Sequence, residues 1–128
     1  MPTTTSSERV VELPATAAAA GLARRELAAT PGMGSDLGYR ALLMASELVA
    51  VYVGGTEPGL GHTLTMAISV TTARLRVEVS GGPPEVSPAT LMRSSDTPSL
   101  GGMGLQIVDR MADAWGVDDS AIWFELAR

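Results

Sequence analysis

Seven apolar residues between positions 64 and 79 stand at every second place within two short runs. Leu64, Met66, Ile68 and Val70 alternate with Thr63, Thr65 and Ser69. Leu75, Val77 and Val79 alternate with Arg74, Arg76, Glu78 and Ser80. A period of two belongs to a strand with one buried face. Two such runs meeting at Thr71 and Thr72 form an antiparallel hairpin. The apolar side of that hairpin needs a cover, which the rest of the chain has to supply.

The cover is legible upstream. Leu37, Ala41, Met44, Ala45, Leu48 and Tyr52 step by three and four, so 37–53 forms a helix with one apolar stripe. Ser35 or Asp36 can cap its start, and Gly54 and Gly55 end it. Ala15 to Ala29 is Ala-rich, with Leu22, Arg25 and Glu26 at helical spacing. It is closed by the breaker Thr30-Pro-Gly-Met-Gly. Arg9 to Leu13 forms a short strand ended by Pro14. Met103 to Ala114 forms a third helix, with stripe Leu105, Val108, Ala112 and Trp115. Two short strands follow, the last over 121–127, where Ile122, Phe124 and Leu126 alternate with Trp123 and Glu125. Gly81 to Gly102 holds four prolines and no period, which fits a functional lid or a disordered segment. Residues 1–8 form a disordered tail and 9–128 a single domain. Helices segregated from an antiparallel sheet imply a two-layer α+β sandwich.

Composition narrows the function. The chain has 128 residues, and hydrophobic types make up 45% of them, enough for a core. A net charge of −5 argues against a nucleic-acid binder, whose phosphate contacts need clustered cations. No cysteine means neither disulfide nor thiolate metal site. The apolar run Ala15 to Leu22 is too short to span a bilayer, and the polar start Met1 to Ser7 lacks a signal peptide's basic residues. The expectation is a soluble, cytoplasmic protein that binds no membrane. All nine basic residues are Arg, and Asn is absent. Chemistry that needs a Lys or an Asn is thereby excluded.

Few residues invite a chemical role. Arg40, Met44, Glu47 and Val51 share a helix face distinct from the main stripe, although a helix glutamate is most often just solvated. Gly101, Gly102 and Gly104 lead into a helix whose first N–H groups favour an anion. A flexible hinge explains these glycines equally well. The loop is no Walker A motif, since no Gly-Lys-Ser/Thr follows, and no Rossmann fingerprint. His62, the single histidine, reads as a turn residue. Asp118 and Asp119 read as a turn, and no catalytic triad, carboxylate pair or metal cluster can be argued.

The order of the parts carries a resemblance. VELPATAAAAGLARREL, LLMASELVAVYVGG, LRVEVSGGPP, GGMGLQIVDRMADAWGV and AIWFEL follow one another from about Val10 to the end. Together they resemble the GHKL (histidine-kinase-like) ATPase fold. Within it, the chain is similar to the small bacterial anti-sigma-factor serine kinases, of which actinobacteria have many stand-alone members. The resemblance implies a Bergerat-like architecture, a mixed, mostly antiparallel sheet covered on one face by about three helices. It puts Glu47 at the general base that activates the attacking hydroxyl. It puts Gly102, Met103, Gly104 and Leu105 at the phosphate loop. Val51 falls where the family has its Mg²⁺-binding asparagine, and Gly81 where it has the aspartate that accepts a hydrogen bond from adenine.

Mg²⁺ takes hard oxygen ligands, and valine has none. Glu85 or Asp96 in the lid could substitute as a carboxylate. The resemblance therefore implies a regulator that acts by binding a protein, such as a sigma factor or an anti-sigma-factor antagonist, with ATP binding weakened or lost and self-association common. One alternative is a working ATP-dependent serine kinase that phosphorylates such an antagonist. Another, apart from the resemblance, is a small domain that binds a different anion at the glycine loop.

Overall fold

The computed structural model describes residues 7–31, 34–54, 61–81, 104–117 and 121–128. Along the chain run β1 (Ser7–Pro14), α1 (Ala19–Ala28), α2 (Ser35–Gly54), β2 (Thr63–Val70), β3 (Arg74–Gly81), α3 (Gly104–Met111), β4 (Ala114–Val117) and β5 (Ala121–Ala127). The strands form one open sheet in the order β1-β2-β3-β5-β4. Among the described residues all four pairings are antiparallel, where a mixed, mostly antiparallel sheet was expected. For two of them the reason is local. Short links join β2 to β3 and β4 to β5, and a short link permits only antiparallel pairing. The pair α1 and α2 returns the chain so that β2 runs against β1.

The hairpin between β2 and β3 forms as its period predicts. Val70 pairs with Leu75 and Leu64 with Gly81. Thr71 closes the turn: its N–H donates to the Arg74 carbonyl at 2.9 Å, and its Oγ1 accepts from the Arg74 N–H at 3.1 Å. Leu64, Met66, Ile68, Val70, Leu75, Val77 and Val79 are all buried. Ile122, Phe124 and Leu126 of β5 join them on the same side. The opposite side carries Thr65, Ser69, Arg76, Glu78, Trp123 and Glu125, all half-buried.

Among the described residues, three helices cover the apolar side. α2 packs between α1 and α3 and lies over β3 and β5. Its expected stripe is buried in full, and Tyr52 Oη donates to the Val79 carbonyl at 2.9 Å, tying the helix to the sheet. Its start differs from expectation. The first helical bond runs from the Gly38 N–H to the Gly34 carbonyl, and Asp36 lies in the first turn, 3.5 Å from Arg40 Nε. There the Asp36 charge favours the helix dipole instead of capping it.

α1 begins at Ala19, four residues after the expected Ala15. Ala15 still belongs to the sheet end, its N–H donating to the His62 carbonyl at 2.9 Å. Ala19, Ala23 and Leu27 form its buried edge. Arg9 on β1 clasps its end. Arg9 Nη2 meets Glu26 Oε2 at 2.6 Å, and Nη1 donates to the Glu26 carbonyl at 2.9 Å and to Thr30 Oγ1 at 3.2 Å. β1 starts at Ser7, so Ser7 and Glu8, expected in the tail, pair with Val70 and Ser69.

The third helix is shorter than its spacing predicts. α3 ends at Met111, and Ala114 and Trp115 belong to β4. The last helical bond runs from the Ala112 N–H to the Val108 carbonyl. At Asp113 the chain crosses to β5: its N–H donates to the Glu125 carbonyl at 2.9 Å, and its Oδ2 accepts from the Ala127 N–H at 2.6 Å. Ladder bonds to β5 override a helical spacing that Trp115 satisfies by coincidence. Trp115 instead pairs with Phe124, and its Nε1 donates to Asp109 Oδ1 at 2.9 Å. The expected start at Met103 and the lid up to Gly102 lie outside the described residues, as do Gly55 and the tail residues 1–6.

Candidate functional site

The face of α2 that carries Arg40, Met44, Glu47 and Val51 is not uniform. Met44 is wholly buried and Val51 is 7% exposed, both within the main core. Glu47, one helical turn before Val51, is half-buried. Burial raises its carboxyl above the ordinary value of 4.5, because a charge loses hydration there. No hydrogen bond or ion pair compensates Glu47 among the described residues. Arg40 has a buried Nε with no hydrogen-bond partner, Asp36 lying 3.5 Å away as an ion-pair contact. Ser46, beside Glu47, directs its hydroxyl back to the Leu43 carbonyl at 2.9 Å.

Gly81 closes β3. Its φ is +108°, a conformation that L side chains rarely adopt. A Cβ placed there would stand 2.7 Å from the Thr63 carbonyl oxygen and 3.1 Å from Leu64 Cα. Gly104 and Leu105 open α3, which packs against α2. Gly101, Gly102 and Met103 lie outside the described residues, and so do Glu85, Asp96, Asp118 and Asp119. α2 and α3 thus bring Glu47, Val51 and the start of the glycine-led helix onto neighbouring elements. His62 is half-buried just before β2, and its carbonyl accepts from the Ala15 N–H.

Placed as the resemblance places them, a magnesium ion finds no oxygen ligand at Val51 and an adenine amino group no acceptor side chain at Gly81. At the metal position stands an isopropyl group sunk in the core. At the adenine position stands a backbone with no room for a side chain. Among the described residues no three His, Cys, Asp or Glu side chains cluster to hold a metal ion. No helix among them is long and apolar enough to cross a membrane.

One polar constellation escaped the sequence reading. On the side of the sheet away from the helices, the Arg76 guanidinium lies 4.3 Å from the centre of the Trp123 ring. It also pairs with Glu125 at 2.9 Å and Glu78 at 3.2 Å, while Arg74 holds the other Glu125 oxygen at 2.9 Å. The indole lies across Gly116, where a Cβ would come within 2.8 Å of Cζ2. The alternation puts these residues on one face, but their meeting depends on the pairing of Arg76 with Glu125. That pairing is a fact of register, which local sequence does not carry.

A scan against models of known protein families matches none of them, and a search of curated proteins returns no similar sequence.

Proposed function

We propose that this chain is a regulator on a GHKL-like scaffold, related to anti-sigma-factor serine kinases, that works by binding a protein and transfers no phosphate. The observation that carries the reading is the burial of Val51. Where a kinase of this kind would present a metal ligand to a cleft, this chain turns an apolar side chain into its core at 7% exposure. The implied partner is a sigma factor or an antagonist of an anti-sigma factor. For self-association, β1 offers the longer open sheet edge, with Val10 71% exposed.

A second reading keeps one observation in its favour. Glu47 is half-buried and burial raises its carboxyl, the direction in which enzymes tune a carboxylate base. On that reading the chain is an active serine kinase with an unusual metal site.

A thermal-shift titration separates the two. A nucleotide at about 100 times its Kd stabilises the fold by roughly 2.7 kcal/mol. The regulator reading expects no shift in millimolar Mg·ATP or Mg·ADP. A clear shift sinks it and favours the kinase. A shift with inorganic phosphate alone favours a simple anion-binding domain.

A further inference from the structure

We propose that Gly81 shuts the base-recognising position in the backbone itself, so that nucleotide recognition cannot be restored there by exchanging side chains. The inference rests on the reading above for what position 81 would otherwise do. It goes further in saying why that role is closed.

The loss of a side-chain ligand usually leaves its place vacant, and a reversion refills it. Gly81 is a different case. The three atoms nearest a Cβ at this position are all main-chain atoms of β2: the Thr63 oxygen at 2.7 Å, Leu64 Cα at 3.1 Å and the Thr65 nitrogen at 3.5 Å. No flexible side chain stands there to swing aside. Nor is β2 free to retreat. Its far edge is held by β1, with Pro14, Leu13 and Glu12 paired to Thr63, Leu64 and Thr65. Beyond the ladder, the Ala15 N–H holds the His62 carbonyl. The positive φ adds a second, independent barrier, since any L residue at +108° is strained whatever the space. An aspartate would also put its carboxylate near the Thr63 carbonyl oxygen, acceptor against acceptor. The end of β3 would have to leave the sheet before a carboxylate could face a base. An adenine amino group therefore finds no acceptor side chain at this position.

Three variants test this. Gly81→Ala adds the smallest Cβ. Its urea midpoint is expected to fall by roughly 0.5 M or more, and a midpoint equal to that of the unaltered chain overturns the closure. Val51→Asn/Gly81→Asp restores both family-like side chains. Calorimetric titration with Mg·ATP is expected to give no saturable binding up to millimolar concentrations. Because Val51→Asn is itself destabilising, the fold is read on Gly81→Asp alone: a lowered urea midpoint or failure to fold supports the closure, and an unaltered midpoint overturns it. Saturable binding by the folded double variant overturns it. If the unaltered chain itself binds Mg·ATP, the regulator reading falls, while the Gly81→Ala result still decides the closure on its own.

Discussion

Replacing Val51 by Asn asks whether this position faces a cleft or the core. At 7% exposure Val51 lies among the main core residues. Full burial of a valine side chain contributes roughly 1.5–3 kcal/mol. An amide placed there without partners adds a cost of about 1–3 kcal/mol. The expected loss for Val51→Asn is thus about 2.5–6 kcal/mol. With a mid-range urea slope of about 2 kcal/mol/M, the midpoint falls by roughly 1–3 M. Val51→Ala is the control, since it removes apolar contact without adding a polar group and should lose less. Urea titrations monitored through the two tryptophans measure all three proteins. If position 51 lined an open cleft, the amide would stay hydrated and cost little. A Val51→Asn midpoint matching that of the unaltered chain, or one raised by Mg²⁺ alone, refutes the placement of Val51 in the core.

Two further perturbations follow from the same geometry. Because the Glu47 carboxyl is raised above 4.5, the folded chain binds that proton more tightly than the unfolded chain does. Its charge therefore penalises folding as pH rises through 4.5 to the higher folded value, and does so fully above it. Glu47→Gln should match the unaltered chain well below pH 4.5 and exceed it in stability at neutral pH; a gain that is equal at both pH values contradicts this. At the clasp between β1 and α1, the Arg9 and Glu26 side chains are 32% and 33% exposed, so solvent screens their attraction. A double-mutant cycle with Arg9→Met and Glu26→Gln should give a coupling of only about 0.5–1 kcal/mol. Arg9→Met alone should cost about 1–2 kcal/mol, since it also removes the bond to the Glu26 carbonyl. A coupling of zero in urea titrations removes the ion pair as a source of stability.

Much of the fold was legible in the residues because its signals are local. The alternation at Leu64–Val70 and Leu75–Val79 names both strands and their buried side, and the stripe from Leu37 to Tyr52 names the helix that covers them. All of these side chains are buried. The breaks were harder to read. Trp115 fits a helical stripe by spacing and a strand by alternation, and bonds from Asp113 to β5 decide for the strand. Ala15 sits in an Ala-rich run yet stays with the sheet, because the His62 carbonyl claims its N–H. The candidate site was legible in the same uneven way. The sequence displays Glu47, Val51 and Gly81 at suggestive intervals but says nothing of their surroundings.

By itself, then, the amino-acid sequence determined which segments are helix or strand and which of their sides are apolar. It also determined that neither an asparagine nor a cysteine is present for metal chemistry. Periodicity and residue type act through the nearest few neighbours, so they can be read without a fold. Only the tertiary structure decided that β1 lies against β2 and β5 against β3, that Val51 points into the core and that Arg76 lies over Trp123. It alone decided that Gly81 is pressed against the backbone of β2. Each of these depends on residues far apart in the chain, brought together by strand register and helix packing.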